Sequence, residues 1–304
     1  MATTTPLRTD TKYFQLYATA KRLAWDPATV DLSRDRAQWR AIVRDHARER
    51  YAEQILHLCA LFFAGEESVT RTLSPFLAAI ARAGLGVDKE MFLTSQLFEE
   101  AKHFEFFARY FAEVFEEDGT AVAARHLGGA PGAVLVDDLD AVADRLRHEE
   151  DPAALRALLV EGVVHYMGVV EAMLARTGYA GSGEALAARG WLPGLQEGFR
   201  LVRRDEGRHV AFGINFVAEL TRDDPALRDV VHATFERHLP NVLGTVQSFA
   251  VYEHPLVDLE RLQQFSLDAF AQFVAAAGLT DGGGHDDLAR EIGDATTTLD
   301  DAAR

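Results

Sequence analysis

Two stretches decide how this chain is read: Phe98-Glu99-Glu100-Ala101-Lys102-His103 and Asp205-Glu206-Gly207-Arg208-His209. Each holds a Glu-x-x-His set. On a helix, a spacing of three puts both side chains on one face about one turn apart, where they can chelate a single ion. One such match means little in a helical chain with 47 acids and 11 histidines. The flanks raise its value. Leu93, Leu97, Phe104 and Phe107 continue the strip through Glu100, and Phe199, Val202 and Val210 continue the strip through Glu206. A carboxylate on an apolar strip needs a partner, because an uncompensated buried charge is very costly. A metal ion is the economical partner.

Each set has a lone glutamate on the preceding helical pattern. Glu66 shares a strip with Cys59, Phe62, Val69 and Leu73, and Glu171 shares one with Val164, Met167 and Leu174. Glu66 precedes Glu100 by 34 residues, and Glu171 precedes Glu206 by 35. This is a duplicated two-helix unit. Two units facing each other give four Glu and two His inside one bundle, the ligand set of ferritin-like dimetal carboxylate proteins. Neighbouring acids compete for these roles. Glu67 lines up with Ala60, Thr70 and Ser74, so it is expected at a rim or in solvent. Glu99 shares its strip with Ser95 and Lys102, which sets it aside as a ligand. Asp205 is expected to accept from a ligand histidine and orient it. Oxygen and nitrogen donors without sulfur disfavour structural zinc and suit iron or manganese. Such a pair suggests O2 activation.

Outward from these motifs the pattern stays helical. Residues 1–32, with Tyr13, Phe14, Tyr17, Trp25 and Pro27, read as an extended arm. Ser33 is a possible helix cap, and helical periodicity runs from there to about Ala83, with a possible kink at Pro75. Further helices are expected over about Asp88–Glu117, near 136–149, and from Asp151-Pro152 to Thr177, closed by Gly178. Gly181, Ser182 and Gly183 then make a turn. Pro193 precedes another long helix to about Arg222; Asp224-Pro225 opens the next, and Asp258 begins the last, which fades near Gly278. No run of alternating β-branched residues stands out, so the fold is all-α. Residues 281–304 lack an apolar face and are expected to be a flexible acidic tail.

Of the 304 residues, 48% are hydrophobic, which is enough for a substantial core over 33–280. The net charge of -16 repels nucleic acid and anionic membranes. Cys59 is the only cysteine and sits between Leu58 and Ala60, which favours a buried thiol and a reducing compartment. Met1–Pro6 is Thr-rich and unlike a signal peptide, and charges interrupt every long apolar run, so no transmembrane segment and a cytoplasmic protein are expected.

At these motifs the chain resembles the small-subunit (R2) branch of the ferritin-like superfamily, and more closely the R2-like ligand-binding oxidases. The matching pieces are Ala64-Gly65-Glu66-Glu67-Ser68-Val69-Thr70, residues 98–103, Val170-Glu171-Ala172-Met173-Leu174 with Thr177-Gly178-Tyr179, and residues 205–209 with Ala211 and Gly213. The likeness extends from about Trp25 to Phe273. It implies a ferritin-like four-helix core with additional helices. It assigns Glu66, Glu100 and His103 to one metal site and Glu171, Glu206 and His209 to the other, with Glu100 and Glu206 as candidates to bridge. It further implies a mixed manganese–iron centre with manganese in the first site, a homodimer, and a long-chain fatty acid whose carboxylate reaches the metals through a hydrophobic tunnel. An ether cross-link between a valine and a tyrosine, matched here by Val69 and Tyr166, would follow O2 activation. Tyr179 matches a further tyrosine near the site. Phe62, Phe63, Phe98, Phe104, Phe106 and Phe107 could line the tunnel, though aromatic strips more often make plain core.

The main competitor is a ribonucleotide reductase small subunit. Such subunits usually carry a radical tyrosine four residues after the first ligand histidine, where this chain has Phe107, although one subgroup has phenylalanine there. They also need an aromatic relay near the C-terminus, and the last aromatic here is Phe273. A dimetal N-oxygenase or monooxygenase is another alternative, and an iron-storing or lipid-binding protein is the non-enzymatic one.

Overall fold

The computed structural model describes residues 7–46, 48–128 and 130–279. Helices fill it, with no strand among the described residues. Four long antiparallel runs enclose the centre: α3 (Glu49–Arg82), α4 (Val87–Tyr110), the run α7 (Pro152–Val163) through α8 (Arg176–Ala187), and α9 (Pro193–Asp223). Around them lie α1 (Lys12–Arg22), α2 (Ser33–Arg44), α5 (Gly119–Leu127), α6 (Pro131–His148), α10 (Leu227–Gln247) and α11 (Leu259–Ala276). Side-chain caps start several of these: Thr11 accepts from Phe14 N, Asp118 from Thr120 N, Asp151 from Ala153 N and Ala154 N, and Asp258 from Arg261 N. Gly84 and Gly86 turn α3 into α4 at positive φ, 64° and 116°, conformations in which a side chain would be strained.

Apolar burial falls into two clusters. One gathers Val69, Leu73, Phe76 and Tyr166; the other gathers Phe62, Phe107, Tyr179 and Phe199. The acids and histidines of interest lie on the same helices between them. Pro152–Ala187 contains the one described window long and apolar enough to cross a membrane, and 83% of that window is buried inside the protein.

Several expectations need correction. The segment before residue 33 is not an extended arm: Lys12–Arg22 is helical, with Tyr13 buried and bonded through its hydroxyl to Glu219. The helical pattern from Ser33 to Ala83 is two helices, one ending at Arg44 and the next starting at Glu49, and Leu32 rather than Ser33 occupies the cap position. Pro75 lies inside α3 without ending it. Gly178 does not close a helix and residues 181–183 make no turn, because the helix continues to Ala187. Neighbours approach closely there: a Cβ on Gly178 would meet Phe62 at 2.9 Å, and one on Gly181 would meet Leu262 at 2.4 Å. Glycine is retained for close approach, not as a stop. The proposed tail, 281–304, lies outside the described residues.

Candidate metal centre

α3 carries Glu66, α4 carries Glu100 and His103, and α9 carries Glu206 and His209. Glu171 stands on Val164–Ala175, where the run between α7 and α8 is wound as a π-helix. That winding has a consequence for the site. Hydrogen bonding from i to i+5 places residues five apart near one another on one face, so Tyr166 and Glu171 both point inward; α-helical winding would splay them.

The structure brings the six expected side chains together, all at most 5% exposed. Ligand-type atoms of Glu66, Glu100, His103 and Glu206 lie within 4.8 Å of one another, as do those of Glu100, Glu171 and His209. Glu100 therefore belongs to both groups. Glu206 falls with His103 rather than only with His209, yet its two oxygens reach both rings, Oε1 at 3.5 Å from His103 Nδ1 and Oε2 at 3.7 Å from His209 Nδ1. These are the two residues expected to bridge.

Four buried polar atoms at the centre make no hydrogen bond: Nδ1 of His103, Nδ1 of His209, Oε2 of Glu171 and Oε2 of Glu206. His103 Nδ1 is 3.4 Å from both Glu66 and Glu100, and His209 Nδ1 is 3.0 Å from Glu100 and 3.2 Å from Glu171, in geometries that suit no N–H donor. Orphaned acceptors facing one another among four carboxylates suit cations. The donor set fits two ions of the iron or manganese type.

The far nitrogens are braced. His103 Nε2 donates to Asp205 Oδ2 at 3.3 Å, as expected of Asp205, and His209 Nε2 donates to Glu99 Oε2 at 3.0 Å. This fixes the tautomer with Nδ1 free. Sequence reasoning missed Glu99. Its strip was judged polar because of Lys102, but Lys102 is itself buried and donates to Asp205 at 3.1 Å. The signal was present: the two pentapeptides, Glu99 to His103 and Asp205 to His209, align as acid, Glu, small residue, base, His. Each leading acid braces the histidine of the other motif, and Arg208 donates to both acids. Trp25 Nε1 donates to Asp205 at 2.7 Å. Glu67, by contrast, is at the rim and paired with Arg71.

Burial and mutual repulsion govern the charges. Burial pushes the Glu66 carboxyl up to about 8, against the pull of His103. Burial and the facing Glu206 hold Glu171 well above the usual carboxylate range. For Glu100 burial is outweighed by His209 and His103, which hold it well below that range. Burial opposes a proton on either histidine, yet Glu66 raises His103 and Glu171 with Glu100 raises His209. Cations bound among these groups would offset the repulsion between the carboxylates.

Two tyrosines touch the centre. Tyr166 donates to Glu100 Oε1 at 2.6 Å, and Tyr179 donates to Glu66 Oε1 at 2.5 Å with its ring stacked on Phe62. A second unforeseen residue, Gln96, is fully buried and donates to Glu171 at 3.1 Å. A cavity of about 370 Å³ runs from the carboxylates, Val69, Tyr166 and Tyr179 between α3, α8 and the surrounding helices. Its wall is mainly aliphatic, with Leu58, Leu61, Val136 and Leu174. Of the six phenylalanines expected there only Phe62 lines it. Phe106 and Phe107 are core, and Phe98 is 58% exposed.

Residues 8–276 match the family described as ribonucleotide reductase, small chain. Among solved structures, a variant of R2-like ligand-binding oxidase with aerobically reconstituted Mn/Fe cofactor is similar at 25% identity and a TM-score of 0.78, covering 88% of this chain and 93% of that one. Another variant, with anaerobically reconstituted Mn/Fe cofactor, gives 26%, 0.76, 88% and 94%. An aerobically reconstituted R2-like ligand-binding oxidase after a long soak gives 26%, 0.76, 88% and 93%.

Proposed function

The chain belongs to the ribonucleotide reductase small-chain family, and from that premise we propose that it is an O2-dependent dimetal oxidase of the R2-like ligand-binding kind, with manganese and iron as its metals. The observation that carries this reading is the pair of unbonded Nδ1 atoms facing four buried carboxylates at the end of an aliphatic cavity. Glu66, Glu100 and His103 would hold one ion and Glu171, Glu206 and His209 the other, with Glu100 and Glu206 shared. Bound there, redox-active ions supply the electrons that reduce O2. Asp205 and Glu99 hold both rings with Nδ1 inward. Tyr179 and Tyr166 each donate a hydrogen bond to one oxygen of a ligand carboxylate, Glu66 and Glu100 respectively.

The cavity suits a long-chain carboxylic acid, its headgroup among the ligands and its chain along the aliphatic wall. Such a wall also keeps water from the centre. Val69 and Tyr166 both line the inner end. Their cross-link would join a side-chain carbon of Val69 to the Tyr166 oxygen, with loss of one C–H and one O–H hydrogen; O2 takes up those two electrons and protons. Two chains in a homodimer, a cytoplasmic setting and no nucleic-acid partner complete the proposal, the last in keeping with the net charge of -16.

The test is aerobic loading of the metal-free protein with Mn(II) and Fe(II), followed by peptide mass spectrometry. A linked Val69–Tyr166 peptide pair lighter by two hydrogens is expected after O2 and not before. Persistently separate peptides would overturn the oxidase reading. A ribonucleotide reductase small subunit is favoured only by the family's description; Phe107 is buried beside Tyr179 and Phe62, with no hydroxyl to oxidise.

A further inference from the structure

Away from the carboxylates, three polar side chains of the cavity wall are satisfied by the protein itself. Thr245 Oγ1 donates to Asn241 O, Ser266 Oγ to Met173 O, and Gln54 both donates to His254 O and accepts from Leu256 N. Ser182 differs. It lines the same cavity, is 0% exposed, and its hydroxyl has no partner. A helical serine or threonine commonly returns its proton to the carbonyl four residues back, as Thr70, Thr72, Thr234 and Thr245 do here. Ser182 does not. A buried hydroxyl left unbonded is unfavourable, so an occupant able to bond it is preferred over one that is not.

The position matters too. Ser182 follows Glu171 by eleven residues on one unbroken helical run, roughly 16 Å along the axis at the α-helical rise and somewhat less for the π winding up to Ala175. A headgroup held at Glu171 does not span that distance.

We propose that Ser182 is a specificity-determining residue, selecting a chain ligand that carries a hydroxyl or keto oxygen well away from its carboxylate. This rests on the reading of the cavity as a long-chain acid site. No bond is made or broken; the oxygen exchanges one hydrogen bond with Ser182 Oγ.

The experiment measures binding of octadecanoate, 12-hydroxyoctadecanoate and 2-hydroxyoctadecanoate to the full-length, metal-loaded protein by calorimetry, for the wild type and Ser182→Ala. One net hydrogen bond makes the 12-hydroxy acid bind about five- to tenfold more tightly than octadecanoate in the wild type. The 2-hydroxy acid gains nothing, and Ser182→Ala binds the plain and 12-hydroxy acids equally. A wild type without preference overturns the proposal without any variant, as does an alanine variant that keeps the preference. If all three acids bind alike, only the role of Ser182 falls. If none binds, the long-chain reading of the cavity falls and takes this proposal with it.

Discussion

His103 and His209 offer the same atom to the same kind of carboxylate, but the protein behind them is different. Behind His103, Asp205 accepts from Trp25, Lys102 and Arg208 as well as from the ring. Behind His209, Glu99 has Arg208 as its one other side-chain donor, and the ring meets Phe92 edge-on. In front the contrast continues, with Tyr179 on Glu66 at one side and Tyr166 on Glu100 and Gln96 on Glu171 at the other. A repeated sequence motif therefore sets donor identity twice over, while the surroundings make the two positions unequal. Two different metals can be told apart only by that inequality.

The largest test of this comparison asks whether the two positions are separable at all. Glu100 lies within 3.4 Å of both histidines, closer to each than Glu206 does, and also accepts from Tyr166. Glu100→Ala is expected to lose both ions, while Glu171→Ala loses one. Metal-to-protein ratios after anaerobic loading and desalting read this directly. A Glu100→Ala protein that still holds one full equivalent would show that the centre is two independent sites.

The next test compares the braces. Outer partners of ligand histidines are typically worth about 10–100-fold in metal affinity, so Asp205→Asn and Glu99→Gln should each weaken binding by that order. They should differ in stability. Losing the Asp205 charge strips Lys102 of its acid partner and Arg208 of one of two among the described residues, both being buried cations, and breaking a buried pair costs about 3–5 kcal/mol. Glu99→Gln leaves Arg208 with Asp205 and costs less, about 1–3 kcal/mol. Denaturant titration of the metal-free variants separates the two, and equal losses would erase the asymmetry.

How much of this was visible beforehand follows from where the information lies. The six ligand-type side chains could be read because helical periodicity is a local property, and charges on apolar strips stand out at fixed spacing. The inward brace from Asp205 followed from the same reasoning. Glu99 was lost because a strip was scored polar from Lys102, whose burial depends on Asp205 of a helix more than a hundred residues away. Trp25 was assigned to a surface arm for the same reason: its partner is Asp205, and only tertiary packing brings them together. The π winding over Val164–Ala175 leaves no periodic mark strong enough to set it apart, so Tyr166 could be placed by family resemblance but not by geometry. The cavity, lined by aliphatic residues from many helices, is a product of packing and escaped a reading that looked to phenylalanines.

Gln96 gives the smallest effect and the finest discrimination. Its amide nitrogen faces Glu171 at 3.1 Å and Glu100 at 3.5 Å. Its oxygen has no partner. Gln96→Leu keeps the volume, removes an unsatisfied buried acceptor, and deletes a donor whose shorter bond is to Glu171, on the His209 side. The first two effects favour the folded metal-free protein; the third releases Glu171 from its fixed orientation. Titration with Mn(II) alone should therefore show one binding step weakened by about three- to tenfold, the size of one net hydrogen bond, with the other step unchanged and no loss of thermal stability. A uniform shift of both steps would mean that Gln96 acts through the shared Glu100 rather than through Glu171, and the two positions would be coupled more tightly than their separate surroundings imply.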